Sequence, residues 1–309
     1  MRILEAVELN SLKCLVHLCE IYEETITKHG SRKTLSTLNI QLYHRRFSLD
    51  WPSSDRPRES PLHLIASRHS GLEAMKIVEK HSNFMDHFID KPDDNQSTPL
   101  LIAIKRKNVE VAKRLIKYPT RKPDIKKTNL HGESPICVAA RTGQAEIMAE
   151  ILKEYSSLEQ WHDSLLSNDE LYGEGHTILY IAAQSGSAEI LNVLMEEQLD
   201  AEVFLKKEKE HTEWVNFASN VFATECETLV KEILQLDKEI ITRLDSNGAT
   251  PLMRAVEADK LDTVMMLLSI ESGETAMSKC DKKGRNVFHY AVKHAEIIHF
   301  LVMNVKVGY

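Results

Sequence analysis

Thr98-Pro-Leu-Leu-Ile-Ala-Ile104 and, across a short polar gap, Val109-Glu-Val-Ala-Lys-Arg-Leu-Ile116 read together as two short helices folded back on each other. A threonine can cap the first helix by accepting from an exposed backbone N–H, and the proline after it has its ring angle preset for the first turn. Leu100 then faces inward and Ala103 leaves room for a close neighbour. In the second segment the apolar residues recur at helical spacing, one face of an amphipathic helix.

The same block returns along the chain as Ser60-Pro-Leu-His-Leu-Ile-Ala66, Ser134-Pro-Ile-Cys-Val-Ala-Ala140, Thr177-Ile-Leu-Tyr-Ile-Ala-Ala183, Thr250-Pro-Leu-Met-Arg-Ala-Val256 and Asn286-Val-Phe-His-Tyr-Ala-Val292. Second segments follow at the same offset, as in Ala145–Leu152, Ala188–Leu194 and Leu261–Leu268. A degraded copy, Glu213-Trp-Val-Asn-Phe-Ala-Ser219, stays in phase and is followed by Leu229–Leu234. Paired small residues such as Ala139-Ala140 and Ala182-Ala183 let successive hairpins stack, so Leu100 and Ala139 are expected in the core. Gly143 and Gly186 stand where the first helix must end in a left-handed residue. Turn signals precede several blocks, Asn129–Gly132, Asp245–Gly248 and Asp281–Gly284, each with a glycine suited to a tight projecting turn.

These residues resemble the ankyrin repeat, whose T-P-L-H-x-A signature, glycine and second amphipathic helix recur here in phase. The histidine of the signature is kept at His63 and His289 and replaced by Leu101, Cys137, Tyr180, Asn216 and Met253. Those repeats are expected to lose a cap-to-histidine hydrogen bond and to be less regular. The resemblance implies an all-α solenoid of seven to eight helix-turn-helix repeats with short projecting fingers, and a protein partner bound on the finger and concave face. Residues 58–309 divide into repeats starting near 60, 98, 134, 177, 213, 250 and 286, 36 to 43 residues apart, so the loops carry insertions beyond the ideal of about 33. Residues 1–57 read as an N-terminal helical cap, a degenerate repeat, plus an insertion over 31–57. Terminal repeats of a solenoid need polar outer faces, and the charged ends of the terminal segments fit that expectation.

Composition agrees with helices packed on helices: 42% hydrophobic, 28% charged and only 6% aromatic. The first residues form no signal or transit peptide, and no run approaches the roughly 18 apolar residues of a membrane span. Five cysteines, an odd number without CxxC spacing, argue against a disulfide framework or zinc site and for a reducing, cytoplasmic setting. Irregular periods and degraded copies are also similar to ankyrin effectors that intracellular bacteria deliver into host cytoplasm, and divergent eukaryotic adaptors look alike.

No cofactor is expected, since neither G-K-[ST] nor G-x-G-x-x-G occurs. His294 and His299 are five apart, which turns them to different sides of a helix rather than toward one metal. Cys14 and His17 lack a third orienting group. An enzyme with an atypical site in the inserted segments is the alternative to a monomeric adaptor. From Lys105 to Lys127 ten basic residues face only Glu110 and Asp124, whereas acidic residues dominate 196–239, so one positive and one negative zone are expected. Lys105, Arg106 and Lys107, with finger residues Asn129 and His131 and the insertion residues Trp161 and Tyr172, are the candidate partner contacts. The basic zone suits an acidic protein partner or an anionic phosphoinositide. A net charge of -7 and a pI near 6.1 speak against specific nucleic-acid binding.

Overall fold

The chain is represented by a computed structural model that describes residues 20, 60–68, 71–155, 177–196, 201–210, 213–270 and 273–304. Residues 1–57 other than 20, with Cys14 and Cys19, lie outside the described residues, as does the 155–175 insertion beyond its first residue, with Trp161 and Tyr172. Among the described residues the secondary structure is helical throughout, without a strand. Helix α1 (Pro61–Ser67) pairs with α2 (Gly71–Val78) and is followed by the short α3 (Ser82–Phe88). Then come α4 (Pro99–Lys105) with α5 (Val109–Ile116), α6 (Pro135–Arg141) with α7 (Ala145–Tyr155), and α8 (Ile178–Gln184) with α9 (Ala188–Glu196). An additional helix, α10 (Ala201–Glu210), precedes α11 (Trp214–Phe222) and α12 (Glu227–Leu236). The chain continues through α13 (Pro251–Glu257), α14 (Leu261–Leu268), the short α15 (Gly273–Ser278), α16 (Val287–Ala291) and α17 (Ala295–Asn304).

The helices form two compact units, Met1–Val138 and Ala139–Tyr309, with the boundary inside α6. Within the first unit α1 packs on α4 and α2 on α5. In the second, the first helices stack in the order α8, α11, α13, α16, and second helices α7, α9 and α12 likewise form a row. Leu100 and Ala139 are both fully buried. In the second unit an aromatic cluster sits at α11, where the Phe217 ring stacks on Tyr180 and on Trp214 at centroid distances of 6.2 and 5.7 Å.

Local chemistry explains the repeated helix starts. Thr98, Ser134, Thr177 and Thr250 each accept from the backbone N–H three residues on, at 3.2–3.3 Å. At these four repeats the cap therefore survives without the histidine, unlike at Glu213 at the start of α11, which makes no side-chain cap, and only the reciprocal half is lost. Even that half is partly replaced at Met253, whose sulfur accepts from the Thr250 N–H at 3.5 Å. Where histidine is present the cap is two-sided: the Ser60 N–H donates to His63 Nδ1 at 2.9 Å. Nδ1 is thereby an acceptor, so Nε2 carries the proton and donates to the Ser97 carbonyl at 2.9 Å, tying one repeat to the next.

This neutral imidazole has a pH consequence. Burial, the largest influence, pushes the His63 pKa below its ordinary 6.5, against the raising effects of the Ser97 carbonyl and Asp93. Below pH 6.5 the unfolded chain therefore binds a proton that the folded chain resists, and stability falls as pH drops from 6.5 through the folded value. Urea unfolding at pH 7 and pH 5 is expected to show this loss, and His63→Gln is expected to shrink the difference between the two pH values.

The turns also repeat. Asp245 Oδ1 accepts from the Asn247 and Ala249 N–H groups, and Asp281 Oδ1 from those of Lys283 and Arg285, at 2.8–2.9 Å. Asn129 does the same for His131 and Glu133. Gly132, Gly248 and Gly284 follow with φ of 70, 79 and 73°. In the corresponding place before α4 stands Gln96, at φ 60°. After the first helices, where Gly143 and Gly186 take φ of 71 and 72°, Lys107 and Asp259 take 56 and 59°. A side chain costs energy in this region, so Lys107→Gly is expected to raise stability by about 0.5–1 kcal/mol, read as a higher urea midpoint with unchanged slope.

Two expectations change. The insertions are not all loops, because α3, α10 and α15 fill part of them. Helix α10 is anchored where the Thr177 hydroxyl donates to the buried Glu208 carboxylate. The last helix pair is also less polar than the charged terminus implied: Val292, Val302 and Met303 are 70, 58 and 73% exposed.

Candidate functional site

In the first unit the basic run is largely answered by carboxylates from neighbouring repeats. Arg114 reaches both oxygens of Glu79 at 2.7 and 2.8 Å, Arg121 meets Asp90 at 3.0 Å, and Lys105 meets Glu133 at 2.5 Å. These partners are some thirty residues away in sequence, which a count along the run cannot see. Arg106 and Lys107 remain exposed at the end of α4. At the finger, Asn129 does not project. It is buried, its Oδ1 holding the turn and its Nδ2 donating to Glu133 at 2.9 Å, so contact at the tip falls to His131 and to Leu130, which is 68% exposed.

The second unit contains a groove of about 780 Å³, lined by α8, α11 and α13 and by the 245–247 turn. Its polar groups are fixed in a chain that runs across three repeats. The Tyr180 hydroxyl donates to Glu213 Oε2 at 3.1 Å, and the Asn216 amide donates to the same oxygen. Asn216 Oδ1 in turn accepts from the Ser246 N–H at 2.7 Å. On the far side Arg254 donates from Nε to Asp245 at 2.7 Å and from Nη1 to Glu257 at 2.8 Å.

Electrostatics follow from these pairs. Burial, then the adjacent Glu213 carboxylate, push the Tyr180 phenol up to about 12, so it remains a hydrogen-bond donor at neutral pH. Burial opposes the charge on Arg254, but hydrogen bonds and attraction from Asp245 and Glu257 outweigh it and raise its pKa further. Three carboxylates thus face one guanidinium in the groove. Among the described residues no group of three or more His, Cys, Asp or Glu could hold a metal ion.

The family model described as "Ankyrin repeats (3 copies)" matches residues 121–207 and 218–308, more than half of the 309-residue chain. The chain belongs to the ankyrin-repeat family. Among curated proteins, the ankyrin repeat protein FPV022 of fowlpox virus (strain NVSL) is 28% identical over 233 residues, covering 68% of this chain and 37% of the relative. The chain therefore spans little more than a third of that relative's length. Among solved structures, the human ASB11 ankyrin repeat domain is 17% identical with a TM-score of 0.47, covering 79% of this chain and 97% of that one. The ankyrin repeat domain of Bcl-3 is 16% identical with a TM-score of 0.42, covering 79% and 99%.

Within an ankyrin repeat, Tyr180 and Asn216 occupy the position of the signature histidine. Their sequence reading was one of loss, yet both side chains turn to the following repeat and build the groove. The signal was present in the residue types, since each replacement keeps a donor where Leu101 keeps none. Glu213, in the place of the capping threonine, was likewise visible as an exception.

Proposed function

We propose that this chain is a monomeric adaptor that docks a protein partner on its fingers and first helices. Ankyrin repeats serve as protein–protein interaction modules, and the observation that carries the proposal for this face is the fixed polar chain from Tyr180 through Glu213 and Asn216 to Ser246. Groups already ordered before binding lose little entropy when a partner arrives. In the first unit, exposed Arg106, Lys107 and His131 are proposed contacts in their own right and suit an acidic patch on a partner. Trp161 and Tyr172 remain proposed contacts in the insertion. No helix among the described residues is long and apolar enough to cross a membrane, and a cytoplasmic site of action is part of the proposal. A bacterial effector role toward a host protein is also part of it, supported by the irregular periods and degraded copies of the repeats.

A partner recovered by pull-down provides the test. Reversing Arg106 and Lys107 to Glu is expected to slow its association at low salt more than reversing Lys113 on the second helix and Lys117 just beyond it, because steering depends on charge near the docking face. Equal slowing by both pairs would contradict that face.

A further inference from the structure

We propose that the groove of the second unit is a receptor for one lysine or arginine side chain of a protein partner. This inference rests on the docking face proposed above and assigns its specificity. Two independent observations carry it.

The first is charge that the groove does not balance itself. Asp245 and Glu257 share the Arg254 guanidinium. Glu213 receives only neutral donors, the Tyr180 hydroxyl and the Asn216 amide, and among the described residues no cation pairs with it. Those donors hold the carboxylate in one orientation and leave acceptor capacity on it, because a carboxylate has about four lone-pair sites. An arriving ammonium or guanidinium would find a placed anion in a partly shielded groove. A phosphate or carboxylate would meet three like charges and a guanidinium already committed twice.

The second is Ser219. It lines the groove from α11, is only 2% exposed, and its hydroxyl has no hydrogen-bond partner among the described residues. A buried hydroxyl left unpaired is destabilising, and its place in the lining of the same groove as Glu213 fits a role as an acceptor for an N–H of the incoming residue. The amides of Gln184, Asn220 and Asn247 line the same groove and can hydrogen-bond the backbone on either side of that residue. The space of about 780 Å³ admits several residues of an extended segment.

Selection of a phage-displayed random peptide library on the full chain tests the inference. The expected peptides share a lysine or arginine at a fixed position. Replacing that residue by norleucine is expected to weaken binding about tenfold, Glu213→Gln about equally, and the two together little more than either alone. Ser219→Ala is expected to weaken binding while shifting Tm upward, a combination that a purely structural serine would not give. Peptides without a fixed basic residue, still blocked by Ser246→Arg in the turn, would overturn the cation receptor and leave the docking face standing. Peptides insensitive to both Glu213→Gln and Ser246→Arg, or no enrichment at all, would overturn both.

Discussion

Phe217→Ala is expected to cost about 3–5 kcal/mol of stability and to abolish binding at the groove. Phe217 is fully buried in α11, the middle helix of the three that line the groove, and its ring stacks on both Tyr180 and Trp214. Removing it opens a cavity that these two rings can close only by moving. Tyr180 would then leave Glu213, and Trp214 would leave Asp237, to which its indole N–H donates at 3.1 Å. Because each repeat touches only its neighbours, the damage is expected to spread through α8 and α13 before it reaches α16. Hydrogen exchange resolved by segment, alongside urea unfolding, reads both the size and the spread.

The second large effect concerns the first unit. Leu100→Ala is expected to cost about 2–5 kcal/mol, since Leu100 is fully buried in α4 and α4 packs on both α1 and α5. Neighbouring Leu101, in the place of the signature histidine, is also fully buried. Leucine there exchanges a hydrogen bond for apolar burial, which is why the absence of histidine does not weaken this repeat's packing. Urea unfolding of Leu100→Ala with a midpoint equal to the parent's would show that this side chain carries no such load.

What the sequence disclosed and what it withheld divide along physical lines. Helix starts were legible because a cap and a proline act within four residues, and both helices of each hairpin were legible because burial writes a period into the chain. Left-handed turns were legible at Gly143 and Gly186 but not at Lys107 or Asp259, where the backbone takes the same conformation without glycine. Helix α10 was missed because every residue of its second half, from Lys206 to Glu210, is charged, leaving no apolar stripe there. The basic run looked more positive than it is, since Glu79, Asp90 and Glu133 approach through stacking rather than through the chain. The groove was hidden for the same reason. The links Tyr180–Glu213 and Asn216–Ser246 span 33 and 30 residues and are joined by a local contact between Glu213 and Asn216 at a degraded cap, so only stacking brings the four into register. Asn129 was misread as a projecting contact because a turn-forming asparagine and a solvent-facing one look alike until their hydrogen bonds are traced.

Side-chain footprinting of the second unit with and without a bound partner tests the docking face most directly. Protection is expected at Gln184, Ser246, Asn247 and Glu257, which line the groove, while the exposed second-helix residues Glu189, Lys231 and Met265 stay as reactive as in the free chain. Protection of Glu189, Lys231 and Met265 with the groove residues unchanged would contradict the account.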